Sequence, residues 1–519
     1  MVKKAELVEG EYYVMSRYGV CLYIGEKFLN NKGLFHCFIF DKGSPYYAQD
    51  GELNGFYRYG NVGSNPPKLS SLFNNTSWKR KKQRSMTEAR EQAKELLKIY
   101  QNRANTKGFA FSKDTVLQEQ FEKEVPFTLS PGQFRCMEEI KKDMESDKLM
   151  DRLLCGDVGY GKTELAMRAA FKAVQDGKQA LVLTPSRILS KQHYNDFIER
   201  FKNYNVKIGL LTSQRNKKRT KLLKDIEDGN IDIIIGTQNV VSKCVKYHDI
   251  GLMVIDEEHR LGVATKEKIK AISANVDVLS MSGTPIPRTL NLTKLHIRDI
   301  SIIDTPPANK KAPITESCPW NNNKIKSIIE RELNRGGQIF FVDNNINELY
   351  ALKEYIEKLI PGIKTGIVHG KMRQNEIDDT MENMLDKKID LLLASTVIEV
   401  GVTVKNANTM IIFNSDMLGL AQLHQLRGRI GRKNDGTQSY CILTYPKKKH
   451  LEPTAKERLK IMCENSYLGS GFKISEQNAD IKGFGELIGI KQSGHLPDVG
   501  MEYYIEMLTR SVDKEKECV

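Results

Sequence analysis

The 519-residue sequence has no Cys-x-x-Cys pair, and none of its nine cysteines, scattered from Cys21 to Cys518, has a histidine at zinc-ligand spacing. No zinc site is signalled, and the thiols read as reduced and structural. No run approaches the roughly 18 apolar residues of a membrane span, and the N-terminal MVKKAELVEGEYY holds no apolar secretory stretch. A membrane partner is therefore not expected, and the cytoplasm is the expected location. Low hydrophobicity is lacking too: 40% hydrophobic and 28% charged residues are the proportions of a folded protein, not a disordered one. A chain of this length exceeds one hydrophobic core, and at roughly 100 to 200 residues per domain it should contain about three or four.

What is present is positive charge. The formal net charge is +14, and residues 1–113 carry 19 Lys and Arg against 10 Asp and Glu, so a polyanion or an acidic protein surface is an expected partner. Residues 8–60 alternate short apolar runs (12–14, 20–24, 35–40) with Gly and Asn, the pattern of a small antiparallel β barrel. After Pro66 and Pro67 come the basic stretch 78–84 and then Ser85-Met-Thr-Glu88, which fits a capping box opening a helix. Met86, Ala89, Ala93, Leu96, Leu97 and Tyr100 would share its buried face. From about residue 128 to 310 strand-like runs (153–155, 180–183, 231–235, 252–255, 276–280) alternate with helical segments, which predicts a parallel α/β sheet. The alternation resumes after Thr305-Pro-Pro-Ala-Asn309 with 338–342, 367–369, 391–394, 410–413 and 439–443, so a second lobe of the same class is expected. The expected divisions are 1–75, 76–113, 114–308, 309–450 and 451–519.

The first lobe carries Gly156-Asp157-Val-Gly159-Tyr-Gly161-Lys162-Thr163, a phosphate loop between a predicted strand and a predicted helix. Its glycines let backbone amides curl around a β-phosphate, Lys162 reaches the β- and γ-phosphates, and the Thr163 hydroxyl suits Mg2+. ATP with Mg2+ is the expected cofactor, with Glu164 closing the motif. Asp256 and Glu257 come directly after an apolar strand, where Asp256 can hold the metal and Glu257 can polarise the attacking water. Ser282-Gly-Thr-Pro285 and Leu129-Ser-Pro-Gly-Gln133 flank these motifs. In this order the set resembles helicase superfamily 2, whose Gln, here Gln133, reads adenine.

The second lobe holds Gln422-Leu-His-Gln-Leu-Arg-Gly-Arg429-Ile-Gly-Arg432. Phosphoryl transfer needs cations aimed at the charge that develops on the γ-phosphate, and Arg429 and Arg432 suit that role. Thr184, Pro185, Arg187, Gly236, Thr237, His369, Gly370, Ser395 and Thr396 stand at predicted strand ends, where amides and hydroxyls can grip nucleic-acid phosphates without reading bases. The expected fold class is α/β, with two tandem RecA-like lobes.

Residues 150–164, 282–289 and 335–341 are similar to the motor of the transcription-repair coupling factor family (Mfd), with many motifs shared by RecG-type helicases. Gly10-Glu-Tyr-Tyr-Val14 and Tyr18-Gly-Val20 through Gly25 resemble the family's Tudor-like domain that binds RNA polymerase, and Trp78-Lys79, residues 95–100 and residues 107–112 its relay helix. Residues 468–472 and 483–495 resemble its translocation module, in which Lys482 would touch nucleic acid. Four motor positions depart from the pattern: Thr403 replaces an Asp, Gln477-Asn478 replace Arg-Asp, and Lys482 replaces an Arg; in the N-terminal domain Ser44-Pro-Tyr-Tyr-Ala48 replaces a more apolar strand. The resemblance implies a monomeric double-stranded DNA translocase, of bacterial or bacterially derived origin, that engages the β subunit of a stalled RNA polymerase. The family's damage-recognition and inhibitory domains have no counterpart in these residues, which implies constitutive DNA-stimulated ATPase and no recruitment of excision repair. A RecG-like enzyme on branched DNA and a catalytically slow polymerase-binding factor are the alternative readings.

Overall fold

The computed structural model describes residues 7–29, 33–59, 66–104, 106–125, 127–211, 217–242, 244–283, 298–308, 310–396, 402–432, 435–447, 451–471, 473–474, 477 and 499–517. Two compact units result. One contains the N-terminal β domain, the long helix after it and the C-terminal helix; the other contains both α/β lobes.

In the first unit, β1 (Tyr12–Met15), β2 (Gly19–Leu29), β3 (Gly33–Ile39), β4 (Pro45–Ala48) and β5 (Phe56–Arg58) form an antiparallel sheet in the order β4-β3-β2-β1-β5. The register of β2 against β3 shifts between Tyr23 and Glu26, where Gly25 adopts φ 105°, so the long strand bends and the sheet can curl over its own side chains. Tyr13, Phe38, Phe40, Leu53 and Phe56 fill that interior, Phe38 stacking on Phe56 at 4.3 Å.

The long helix spans Thr76–Ala104. The predicted start at Ser85 is therefore corrected: Lys and Arg are good helix formers, so the basic stretch 78–84 is itself helical and Ser85 lies buried inside. Trp78, Ser85, Ala89 and Ala93 recur at spacings of seven and four residues and are all buried. Leu96, Leu97 and Tyr100, expected on the same face, have side chains outside the described set. The helix Met501–Glu517, expected as a tail, packs here instead, with Tyr503 4.8 Å from Tyr57 and 6.2 Å from Trp78.

In the second unit, the first lobe's seven-stranded sheet runs β12-β6-β11-β10-β7-β9-β8 and is wholly parallel. Its strands are β6 (Asp151–Gly156), β7 (Gln179–Leu183), β8 (Ile208–Leu211), β9 (Ile233–Gly236), β10 (Ile250–Asp256), β11 (Asp277–Ser282) and β12 (Asp299–Ile303). The second lobe's sheet is β13-β18-β17-β14-β16-β15, parallel throughout. It is built from β13 (Ile314–Pro319), β14 (Gln338–Val342), β15 (Thr365–Val368), β16 (Leu391–Ala394), β17 (Ala407–Ile412) and β18 (Tyr440–Tyr445). Within the two lobes three strands were not foreseen, and all three are sheet edges: β8, β12 and β13. Parallel registry aligns the carboxyl ends, pairing Ser282 with Cys155, Asp256 with Met281 and Leu183 with Gly236, so the turns leaving these strands gather on one rim.

Candidate functional site

The loop after β6 turns through Gly159 at φ 77° and Gly161 at φ 74°, conformations open to glycine at little cost. A Cβ on Gly159 would meet Lys310 Nζ, and one on Gly161 Gln133 Nε2, both movable side-chain ends, so the positive φ sets the requirement for glycine. Gly161 then caps the helix Lys162–Gln175 without a side-chain hydrogen bond. Lys162 Nζ donates to the carbonyls of Gly156 and Asp157 at 2.6 and 3.1 Å, and burial lowers its basicity against the pull of Glu257, Asp256 and Asp157.

A cavity of about 270 Å3 opens over this loop, lined by Gly159, Gly161, Lys162, Thr163, Asp256 and Glu257 from the first lobe and by Arg429 and Arg432 from the second. Asp256 ends β10 and is buried. Burial opposes its ionisation, but the 2.9 Å bond from His193 Nε2 and the charges of Lys162 and Arg429 hold it below the usual carboxylate range. Glu257 sits at φ 49°, a strained left-handed position fixed by its N–H on the Met281 carbonyl and by Gly283 N–H on its own carboxylate at 3.3 Å. Arg432 Nε donates to the Gly428 carbonyl at 2.8 Å. Burial, with Arg429 beside it, pushes the guanidinium down to about 9.

Three of the expected nucleotide residues face elsewhere. Gln133 Nε2 donates to the Tyr160 carbonyl at 2.9 Å, and its Oε1 accepts from Ser130 N–H as part of a capping box, so it braces the loop from behind. The Asp157 carboxylate lies 3.3 Å from His424 Nε2. Burial works against its charge, but His424, the Val158 N–H and Lys310 keep it well below the ordinary range. Glu164 pairs with Arg168 at 2.9 Å and Arg200 at 3.2 Å.

Several lining residues carried no sequence signal: Gln192, His193 and Asp196 on the helix Arg187–Phe201, and Lys310. Gln192 bridges the lobes, its Oε1 accepting from Thr403 N–H at 3.0 Å and its Nε2 donating to the Thr403 carbonyl at 3.1 Å. Because both bonds go to backbone, the Asp-to-Thr departure at 403 leaves them possible. Arg260 to Gln425 (3.0 Å) and Lys191 to Glu382 (2.5 Å) also cross the lobes.

The expected nucleic-acid residues divide. Thr184, Pro185, Arg187 and Thr237 line a second cavity of about 490 Å3 that also reaches Ala394 and Val402 of the other lobe. Arg187 spends its guanidinium on Asp378 and Asn375, both at 3.4 Å. Thr184 is fully buried, 2.6 Å from Ser190 Oγ, and Gly236 closes β9 beneath it. His369 is buried against the Tyr350 hydroxyl at 2.9 Å; Gly370 next to it is exposed; Ser395 N–H bonds the Val368 carbonyl, and Thr396 comes next at the rim. Lys482, Thr284, Glu399 and the 483–495 motif lie outside the described residues.

Two parallel lobes with a phosphate loop on one and arginines on the other define a class: the fold is that of helicase superfamily 2, two tandem RecA-like lobes. Residues 130–293 match the DEAD/DEAH box helicase family, and residues 320–434 the helicase conserved C-terminal domain. Within that class it is similar to the transcription-repair-coupling factor of Bacillus subtilis (strain 168), with 42% identity over 99% of this chain and 44% of that protein. The factor of Borreliella burgdorferi is 40% identical over 98% of this chain and 45% of its own length. The chain thus spans less than half the length of these curated relatives. A solved structure of RecG bound to a three-way DNA junction superposes with a TM-score of 0.71 at 27% identity, covering 99% of this chain and 79% of that one. Among the described residues no helix is long and apolar enough to cross a membrane.

Proposed function

We propose that this chain is an ATP-dependent translocase on double-stranded DNA that engages a stalled RNA polymerase through its β subunit and pushes or releases it, working as a cytoplasmic monomer. The observation that carries the reading is the cavity with walls from both lobes: Lys162, Asp256 and Glu257 on one side, Arg429 and Arg432 on the other. Its surplus of cations over carboxylates suits a nucleoside triphosphate with a divalent ion. In this reading Lys162 binds the β- and γ-phosphates, Glu257 orients the attacking water, and the arginines stabilise the charge that develops on the γ-phosphate. Thr163 and Asp256 would hold Mg2+, which neutralises phosphate charge when bound. Because the site is complete only when the lobes meet, hydrolysis and release would alternately favour closed and open arrangements, and the rim residues would move along the duplex with them.

The duplex and polymerase parts of the proposal draw on the coupling-factor relatives and on the curled β domain. The likeness to RecG supports a second reading, an enzyme of branched DNA. ATP turnover measured without DNA, on linear duplex and on a three-way junction separates the two. Turnover raised at least tenfold by linear duplex alone is expected, whereas stimulation confined to the junction would favour the second reading. Lys162→Ala should lose the stimulated turnover on either DNA.

A further inference from the structure

We propose that Lys310 is a second phosphate-binding lysine of the nucleotide site, delivered by the segment that joins the two lobes. The inference rests on reading the cavity as a nucleotide site. Lys310 lies between β12 and β13, yet its ammonium reaches back into the phosphate loop. Nζ donates to the Val158 carbonyl at 2.5 Å and stands 5.3 Å from the Tyr160 ring centroid. Gly159 leaves it room, since any Cβ there would strike Nζ. Lys310 lines the same cavity as Lys162, Arg429 and Arg432, and these four cations face the carboxylates of Asp256, Glu257 and Asp196.

The arrangement suits an exchange. An ammonium resting on a loop carbonyl can move its bond to a phosphate oxygen, which is both charged and a stronger acceptor. Burial lowers Lys310 to about 7, with Arg432 and Lys162 pressing the same way and Asp157 opposing. Above that pH the amine is largely neutral. A polyphosphate brings negative charge to it and raises its proton affinity, so binding draws one proton from solvent onto Nζ and is favoured at lower pH. The segment joining the lobes would thereby sense whether the loop holds phosphate.

The test is calorimetric titration of the whole chain with Mg2+ and a non-hydrolysable ATP analogue, in buffers of unlike ionisation heat, between pH 7 and 8.5. Wild type should take up more protons on binding than Lys310→Arg, which is charged throughout. Its affinity should fall by up to about tenfold per pH unit above 7, while that of the Arg variant stays flatter. Lys310→Met should bind roughly tenfold more weakly at pH 7, the loss of one charge-assisted hydrogen bond. Equal proton counts in wild type and Lys310→Arg would overturn the proposal even if Lys310→Met failed to fold. Lys162→Ala distinguishes the two levels: if it loses nucleotide while the Lys310 variants behave as wild type, only the Lys310 role fails. If it keeps wild-type affinity, the nucleotide-site reading fails as well.

Discussion

Both lobes present the same local unit, an interior parallel strand, a short turn and a helix, and they use it in opposite ways. After β6 the turn is Gly156 to Gly161, and the next helix has a glycine cap with no side chain over its first amides. After β14 the helix Ile346–Leu359 is capped by the Asn345 side chain, which accepts from Asn347 N–H at 3.1 Å and donates to Glu348 at 2.7 Å. Asp343 stands in that turn, and burial, with Glu348 beside it, pushes its carboxyl up to about 6. One helix N-terminus is left open for an anion; the other is closed by its own residues and carries carboxylates that repel one. The shared scaffold supplies the positive end of a helix in both lobes, but the capping residue decides whether a phosphate can use it.

The comparison breaks most severely if the second lobe's cations prove dispensable. Glu257→Gln and Arg432→Ala should each cut ATP turnover by about a thousandfold while nucleotide affinity is largely kept, because one removes the group that orients water and the other a cation on the developing charge. Steady-state turnover beside nucleotide titration checks this. A loss of less than about tenfold for Arg432→Ala would mean that the second lobe takes no part in the chemistry.

A smaller effect is expected at the bridge. Gln192→Ala removes both bonds to the Thr403 backbone and so weakens the closed arrangement by about 1 to 2 kcal/mol. The KM for ATP should rise roughly 5- to 30-fold with a lesser change in kcat. An unchanged KM would show that closure does not depend on this pair.

The smallest effect sharpens the contrast between the two turns. With its carboxyl raised from the ordinary value to about 6, Asp343 favours the fold when protonated. That stability is fully present below about pH 4 and is lost as pH rises through 6. Asp343→Asn should raise the apparent Tm at pH 8 by a few degrees, the equivalent of about 1 to 2 kcal/mol, and remove the wild type's gain on acidification. ATP turnover should stay within about twofold. A variant less stable than wild type at pH 8 would show that the Asp343 bond to Asn345 N–H outweighs the buried charge.

Legibility depended on position in the sheet. β7, β10, β14 and β16 are covered on both faces and read as unbroken apolar runs, so their places were plain. β8, β12 and β13 lie at edges, and Asp-Ile-Ser-Ile-Ile or Ile-Thr-Glu-Ser-Cys-Pro has no such run, because an edge strand is half exposed and tolerates polar residues and Pro. The helix start at Thr76 was hidden for another reason. Ser85-Met-Thr-Glu88 has the composition of a cap, but a cap forms only where the preceding chain leaves the helix, and Lys and Arg keep it in.

The glycine-rich loop before Lys162, the Asp256-Glu257 pair and the two arginines, which the fold gathers round one cavity, could be picked out because each is a short pattern beside a strand end or a helix. His193, Gln192 and Lys310 are single polar residues, unremarked in a helix and a linker. They acquire meaning only where folding sets His193 against Asp256, Gln192 against a backbone 211 positions away, and Lys310 under a loop 152 positions earlier. Packing likewise sets Arg187, expected at a nucleic-acid phosphate, against Asp378, and sets Gln133 and Asp157, expected at the nucleotide, against the Tyr160 carbonyl and His424. Residue types and their spacing specify which chemistry is available. Which groups share it depends on contacts between segments remote in the chain, and no local pattern encodes those.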